Sequence, residues 1–215
     1  MSDHLYGLEC LKEVEFPIEN YEKVVLIDTE SILDIPNIKN KLLDSIGDIF
    51  NFYFGKKKKE QKLQRVKNLI RKKIQTTIEK LIKEGYSITV HAHSLGTWML
   101  MGTNIKVEKA ILMGSPCGIN FANAIGLHKL DSITSKLLRF LIFKELQERI
   151  NENKYLKTDN LIYLYSTEDF IGSKKLDISY LKIFSPFVLI FNTYKGHDYK
   201  CYLTFLKTLV EEIRT

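Results

Sequence analysis

Short, strongly apolar runs recur along the chain, separated by longer stretches in which apolar residues return every three or four positions. The first run is Val24-Val25-Leu26-Ile27, β-branched and ending at Asp28-Thr29. The same strand signature returns at Ser87-Ile88-Thr89-Val90-His91, Ala110-Ile111-Leu112-Met113, Leu161-Ile162-Tyr163-Leu164-Tyr165 and Phe187-Val188-Leu189-Ile190-Phe191. Runs this short, punctuated by Gly, Ser and Pro, suit buried strands rather than helices. Helical periodicity fills the gaps. Residues 38–54 make one helical piece and residues 60–83 a second, with Leu63, Val66, Ile70, Ile74, Ile78 and Leu81 on one face and lysines on the other. Gly85 supplies the C-terminal stop. Helix is predicted again from Leu95 to about Thr103, through much of 117–155, and from about Tyr199 to Ile213.

Apolar strands alternating with amphipathic helices predict an α/β fold, with a mostly parallel sheet covered by helices on both faces. Right-handed crossovers gather the strand C-terminal ends on one edge, and open α/β sheets bind ligands there. Residues 5–16 offer further strand sequence for an antiparallel edge. With 215 residues, no internal repeat and only four prolines, residues 1–215 read as a single domain.

Composition narrows the setting. Hydrophobic residues make up 45% and charged residues 27%, the balance of an ordinary globular protein rather than a disordered or fibrous one. From the polar start Met1-Ser2-Asp3-His4, no secretory leader is expected. No stretch approaches the roughly 20 apolar residues of a membrane-spanning helix. Cys10, Cys117 and Cys201 form neither zinc-type pairs nor a disulfide framework, which suits a reducing cytoplasm. The net charge of +6 is concentrated between Lys56 and Lys83. A solvated helix face is the plain reading, and a patch for phosphate, lipid headgroups or an acidic acyl-carrier protein is the alternative. Nucleic acid is disfavoured because no aromatic residue interleaves with these lysines to stack on bases.

The segment that carries chemistry is Ala92-His93-Ser94-Leu95-Gly96, set between a predicted strand and a predicted helix. It fits the small-X-Ser-X-Gly nucleophile elbow. A sharp strand-to-helix turn lifts the serine above the sheet edge. Larger side chains two residues before or after it are expected to strike a neighbouring strand or helix. The same turn aims the first helical N–H groups, Leu95 among them, at a developing oxyanion. Residues 91–98 resemble the elbow of the α/β-hydrolase superfamily, and the alanine variant is similar to that of small bacterial lipases.

The resemblance implies an acid and then a histidine after later strands. Asp169, in Ser166-Thr167-Glu168-Asp169-Phe170-Ile171-Gly172, sits where the family places its acid, with Glu168 as a rival that would more easily point to solvent. Tyr194-Lys195-Gly196-His197-Asp198 resembles the family's Gly-His near the C-terminus. His197 would take the serine proton and return it to the leaving group, while Asp169 would hold the imidazole tautomer. The plain alternatives are a cap or loop role for Asp169 and a surface turn for His197. The family's His-Gly pair, which carries the other oxyanion donor, is replaced here by Asp28-Thr29, followed by Glu30-Ser31. By position the N–H of Thr29 or Glu30 would serve. The missing glycine and the flanking carboxylates keep a catalytically silent binding protein open.

His91 and His93 form a His-X-His pair expected on one strand face, but the elbow explains the segment without a metal, and no cofactor is expected. His128 lies in helical insert sequence. The insert 117–155 occupies the place of the family's lid, and residues 137–143 are apolar on more than one helix face. Burial on the sheet explains most of that pattern, and the excess suits a greasy cover over Ser94. The expected function is a serine hydrolase of esters or thioesters with an apolar acyl group, working through an acyl-serine intermediate. An acyltransferase using the same residues is its near neighbour.

Overall fold

Four of the apolar runs lie side by side and point the same way. A computed structural model describes residues 12–15, 17, 21–25, 27, 57–118, 133–169, 172, 174–194 and 196–214. In it, β1 (Thr89–His93), β2 (Ile105–Met113), β3 (Leu156–Tyr165) and β4 (Phe187–Asn192) form one parallel sheet in the order β1-β2-β3-β4. Helix α1 (Lys57–Lys83) precedes β1. Helices α2 (Leu95–Met101), α3 (Ile133–Asn151) and α4 (Ile178–Leu181) lie between successive strands, and α5 (Tyr199–Arg214) follows β4. This is an α/β fold.

Right-handed crossovers that always step in one direction leave their helices on one face. Side-chain alternation along the strands shows the result. Ala92, Ala110, Leu112, Leu161 and Tyr163 enter a core with Ile70, Ile74 and Ile78 of α1, Trp98 of α2, Ile142 and Leu146 of α3 and Leu181 of α4. The intervening Ile111, Met113 and Leu164 face the opposite layer, where Val14 and α5 residues Tyr202, Leu203 and Leu206 cover them. The register pairs His93 with Met113, Met113 with Leu164 and Tyr165 with Asn192. The loops beginning at Ser94, Gly114, Ser166 and Thr193 therefore leave one edge of the sheet.

Several elements differ from the sequence reading. β1 runs later than residues 87–91, because its ladder with β2 continues to His93. β2 and β3 begin well upstream of their apolar runs, where exposed Lys106, Glu108 and Asp159 alternate with buried Ile105, Val107 and Leu156. Val24, Val25 and Ile27 are not in a strand. Val24 and Val25 are 45% and 43% exposed, so their β-branched side chains gain no packed surface to hold a ladder. Their neighbour Tyr21 sets its ring edge-on to His91 at 6.2 Å, and Lys23 pairs with Glu84 at 3.0 Å. In the stretch 5–16, Lys12 and Glu13 are helical and Val14 and Glu15 form a turn rather than an edge strand. The helix expected at 38–54 lies outside the described residues.

The insert is described from Ile133 onward. There α3 buries Leu138, Ile142 and Leu146 on the sheet as a crossover helix, while Ile133 and Phe140 remain 85% and 62% exposed. Residues 119–132, with His128, lie outside the described residues. Among those described, no helix is long and apolar enough to cross a membrane.

The lysine face of α1 is only partly solvated. Arg65, Lys72, Lys73, Lys80 and Lys83 are exposed, but Lys67 and Arg71 are buried. Lys67 Nζ lies 2.7 Å from Glu145 Oε2 of α3, and Arg71 Nη1 lies 2.8 Å from its Oε1. The Lys67 ammonium also stands 5.1 Å from the centre of the Trp98 ring. Burial lowers the pKa of Lys67 even though Glu145 attracts its charge. One carboxylate thus holds two desolvated cations. Removing it with Glu145→Ala is expected to cost about 3–5 kcal/mol in urea unfolding, because both buried cations lose the carboxylate that pairs them. A loss below about 1 kcal/mol would mean that solvent already neutralises the pair.

Candidate active site

Ser94 is the single residue between the end of β1 at His93 and the start of α2 at Leu95. Its N–H donates to the Met113 carbonyl at 2.9 Å, the last rung of the β1–β2 ladder. Its carbonyl already accepts from the Thr97 N–H at 3.0 Å and from Thr97 Oγ1 at 2.8 Å. Meeting both demands puts Ser94 at φ 50° and ψ −125°, a region that side chains beyond glycine rarely occupy. Ala92 packs into the core below, as a small residue before the serine requires. Gly96 departs from expectation: a Cβ built there meets no described atom within 4 Å. It is partly exposed, and the packed face of α2 begins only at Thr97.

His197 and Asp169 reach Ser94 from the loops after β4 and β3. His197 Nε2 lies 2.9 Å from Ser94 Oγ, and its Nδ1 lies 2.6 Å from Asp169 Oδ2. Asp169 is 1% exposed, while the rival Glu168 is exposed. Burial pushes the Asp169 pKa upward, but hydrogen bonds from His197, the Gly172 backbone and Tyr202 outweigh it and hold the group below the ordinary carboxylate value. An ionised acceptor places a proton on Nδ1, which leaves Nε2 to accept from the serine hydroxyl. A hydroxyl, an imidazole and a carboxylate so aligned can move the serine proton onto the ring as Oγ attacks an electrophile.

The supporting contacts were not visible in the sequence pattern. Tyr202 of α5 donates to Asp169 Oδ2 at 2.8 Å. Gly172 abuts Gly114 so closely that a Cβ on Gly172 would lie 2.3 Å from the Gly114 Cα and 2.8 Å from Asp169 Oδ2. Gly114 itself has φ 55°. The loops after β2 and β3 therefore touch backbone to backbone beneath the acid, and Gly-Ser-Pro or Phe-Ile-Gly read alone signals no more than a turn. His93 brings its Nε2 to 2.7 Å from the His197 carbonyl oxygen.

Leu95 follows Ser94 as the first residue of α2, and its N–H is one of the first-turn donors that a helix cannot satisfy internally. Thr29 and Glu30 lie outside the described residues, as does Asp28. His91 and His93 share the α5 side of the sheet, opposite Ile111 and Met113. Burial lowers both pKa values to about 4, assisted by the positive Lys109 near His91 and by His197 near His93. No family model, curated protein or solved structure matches the chain.

Two outcomes follow from this geometry. Ser94→Gly removes a backbone strain of about 1–3 kcal/mol and should melt above Ser94→Ala, which keeps the strain, when both are scanned by circular dichroism. Equal melting temperatures would show that Ser94 is not strained. As pH falls from about 6.5 towards 4, the unfolded chain protonates the counterparts of His91 and His93 before the folded one does. Stability should therefore decline through that window and decline further below about 3.9, as Asp169 loses its charge. Denaturation midpoints that stay level between these pH values would contradict the assignment of neutral, half-buried histidines.

Proposed function

We propose that the chain is a serine hydrolase of the α/β-hydrolase type, cleaving an ester or thioester with an apolar acyl part. The observation that carries this reading is Ser94 in its positive-φ turn, hydrogen-bonded to His197, which is hydrogen-bonded in turn to buried Asp169. Its support from sequence is the strand–Ala-His-Ser-Leu-Gly–helix order and the order serine, acid, histidine.

In this mechanism Ser94 Oγ attacks the carbonyl carbon while His197 Nε2 takes the hydroxyl proton. The carbonyl oxygen becomes an oxyanion, stabilised by the Leu95 N–H and a second donor proposed at Thr29 or Glu30. Collapse breaks the bond to the alcohol or thiol, which leaves with the proton from Nε2. Water then attacks the acyl-serine, gives its proton to Nε2, and the carboxylic acid departs as Ser94 recovers its hydrogen. Asp169 stays ionised throughout and balances the transient imidazolium. Within the insert 117–155, exposed Ile133 and Phe140 of α3 are proposed as part of the apolar cover that admits the acyl chain. A thioester carried on an acidic protein would find exposed Arg65, Lys72 and Lys73 on α1.

Asp28-Thr29-Glu30, in place of a glycine-bearing loop, favours a second reading: an acyl-binding protein without turnover. A fluorophosphonate probe separates the two. Wild type should be labelled, Ser94→Ala should not, and Asp169→Asn should react about 10⁴-fold more slowly. Folded wild type that stays unlabelled overturns the enzyme. Among nitrophenyl esters, medium acyl chains should be cleaved faster than acetyl, and a preference for acetyl would remove the apolar cover.

A further inference from the structure

We propose that His93 is a positioning residue that ties the loop carrying His197 to the serine's own turn; this rests on the reading of Ser94 as a nucleophile. The loop needs such a tie. Its last sheet contact is the Thr193 N–H, which donates to the Tyr165 carbonyl at 2.8 Å. Beyond it, Tyr194 takes φ 53°, and a Cβ at Gly196 would meet no described atom within 4 Å. A contact that places the histidine backbone from β1 would add to whatever the loop itself provides.

His93 supplies that placement. A carbonyl oxygen only accepts, so the 2.7 Å contact with His197 O requires the proton on His93 Nε2. The His93 ring centre lies 4.8 Å from that of His197, 5.4 Å from that of Tyr199 and 5.7 Å from that of Tyr202. Tyr202 in turn holds the acid. One side chain therefore touches the ring of the base, the backbone of the base and the partner of the acid. Because His93 immediately precedes Ser94, the same strained turn that sets Oγ also sets the donor that anchors His197. The 2.9 Å separation of Oγ and Nε2 then follows from one rigid piece of backbone. Burial keeps His93 neutral at working pH, so the imidazolium formed at His197 meets no second positive charge beside it.

The test separates donor from ring. Gln places its Nε2 as many bonds from Cα as the histidine Nε2, so His93→Gln keeps the donor and loses the ring, whereas His93→Phe does the reverse. With fluorophosphonate, His93→Phe should inactivate on the order of 100-fold more slowly at saturating probe, the cost of misplacing reacting groups by about an ångström. Its half-saturating probe concentration should not change, and His93→Gln should stay within a few-fold of wild type. In the Ser94→Ala protein, where no chemistry intervenes, the downfield Nδ1–H proton resonance of His197 should broaden with His93→Phe and persist with His93→Gln. A folded His93→Phe protein with wild-type rate and an unchanged resonance overturns the proposal. So does a folded His93→Gln protein as slow as expected for Phe, which decides the matter if the Phe variant does not fold. Failure of wild type to label at all sinks the hydrolase reading instead, and the resonance comparison still tests the anchoring.

Discussion

The Ser94 N–H closes the last rung of the β1–β2 ladder while its carbonyl already caps α2, and the rest of the site is arranged around that junction. A looser connection would have left the serine on a mobile loop. The tight one costs backbone strain, which is held in place by the burial of Trp98, Met99, Leu100 and Met101 just downstream. Each fully buried side chain of that kind stabilises by about 1.5–3 kcal/mol, so the short helix can keep its first residues in an unfavourable geometry.

The two faces of the sheet divide the labour. The α1–α4 layer is mostly apolar, and a charged cluster around Glu145 locks α1 against α3. The opposite layer is thinner among the described residues, and it holds the groups that support the imidazole and the acid. His93 projects there from β1, and Tyr199 and Tyr202 arrive there on α5. A helix that looks like a simple closing element thus fixes the protonation geometry of a carboxylate contributed by another loop.

What could be read in the sequence was whatever depends on neighbours along the chain. The apolar run at β4, the periodicity of α5 and the turn at Ser94 are local, and each lies close to its expected place. β2 and β3 extend further upstream because half-exposed alternation, as in Ile105-Lys106-Val107-Glu108, carries too little apolar signal on its own. Burial of Lys67 and Arg71 escaped the pattern for the opposite reason: helical spacing put them beside an apolar face, but their partner Glu145 is on another helix. Tyr202 with Asp169, Gly172 with Gly114 and His93 with His197 are likewise pairings between distant segments, for which no periodicity exists.

That dependence on distant segments bears on how the chain comes to life during synthesis. The ribosome releases β1, the serine turn and β2 well before β4 and α5, and early segments can begin to pair while later ones are still unmade. Until β4 and α5 are made and placed, neither the Tyr202–Asp169 nor the His197–Ser94 hydrogen bond can form. A nascent or half-folded chain would carry an ordinary serine hydroxyl, unable to acylate itself on whatever it meets in the crowded surroundings of translation. On the hydrolase reading proposed above, reactivity would arrive only once β4 and α5 are in place, and their docking would act as the safety catch on Ser94.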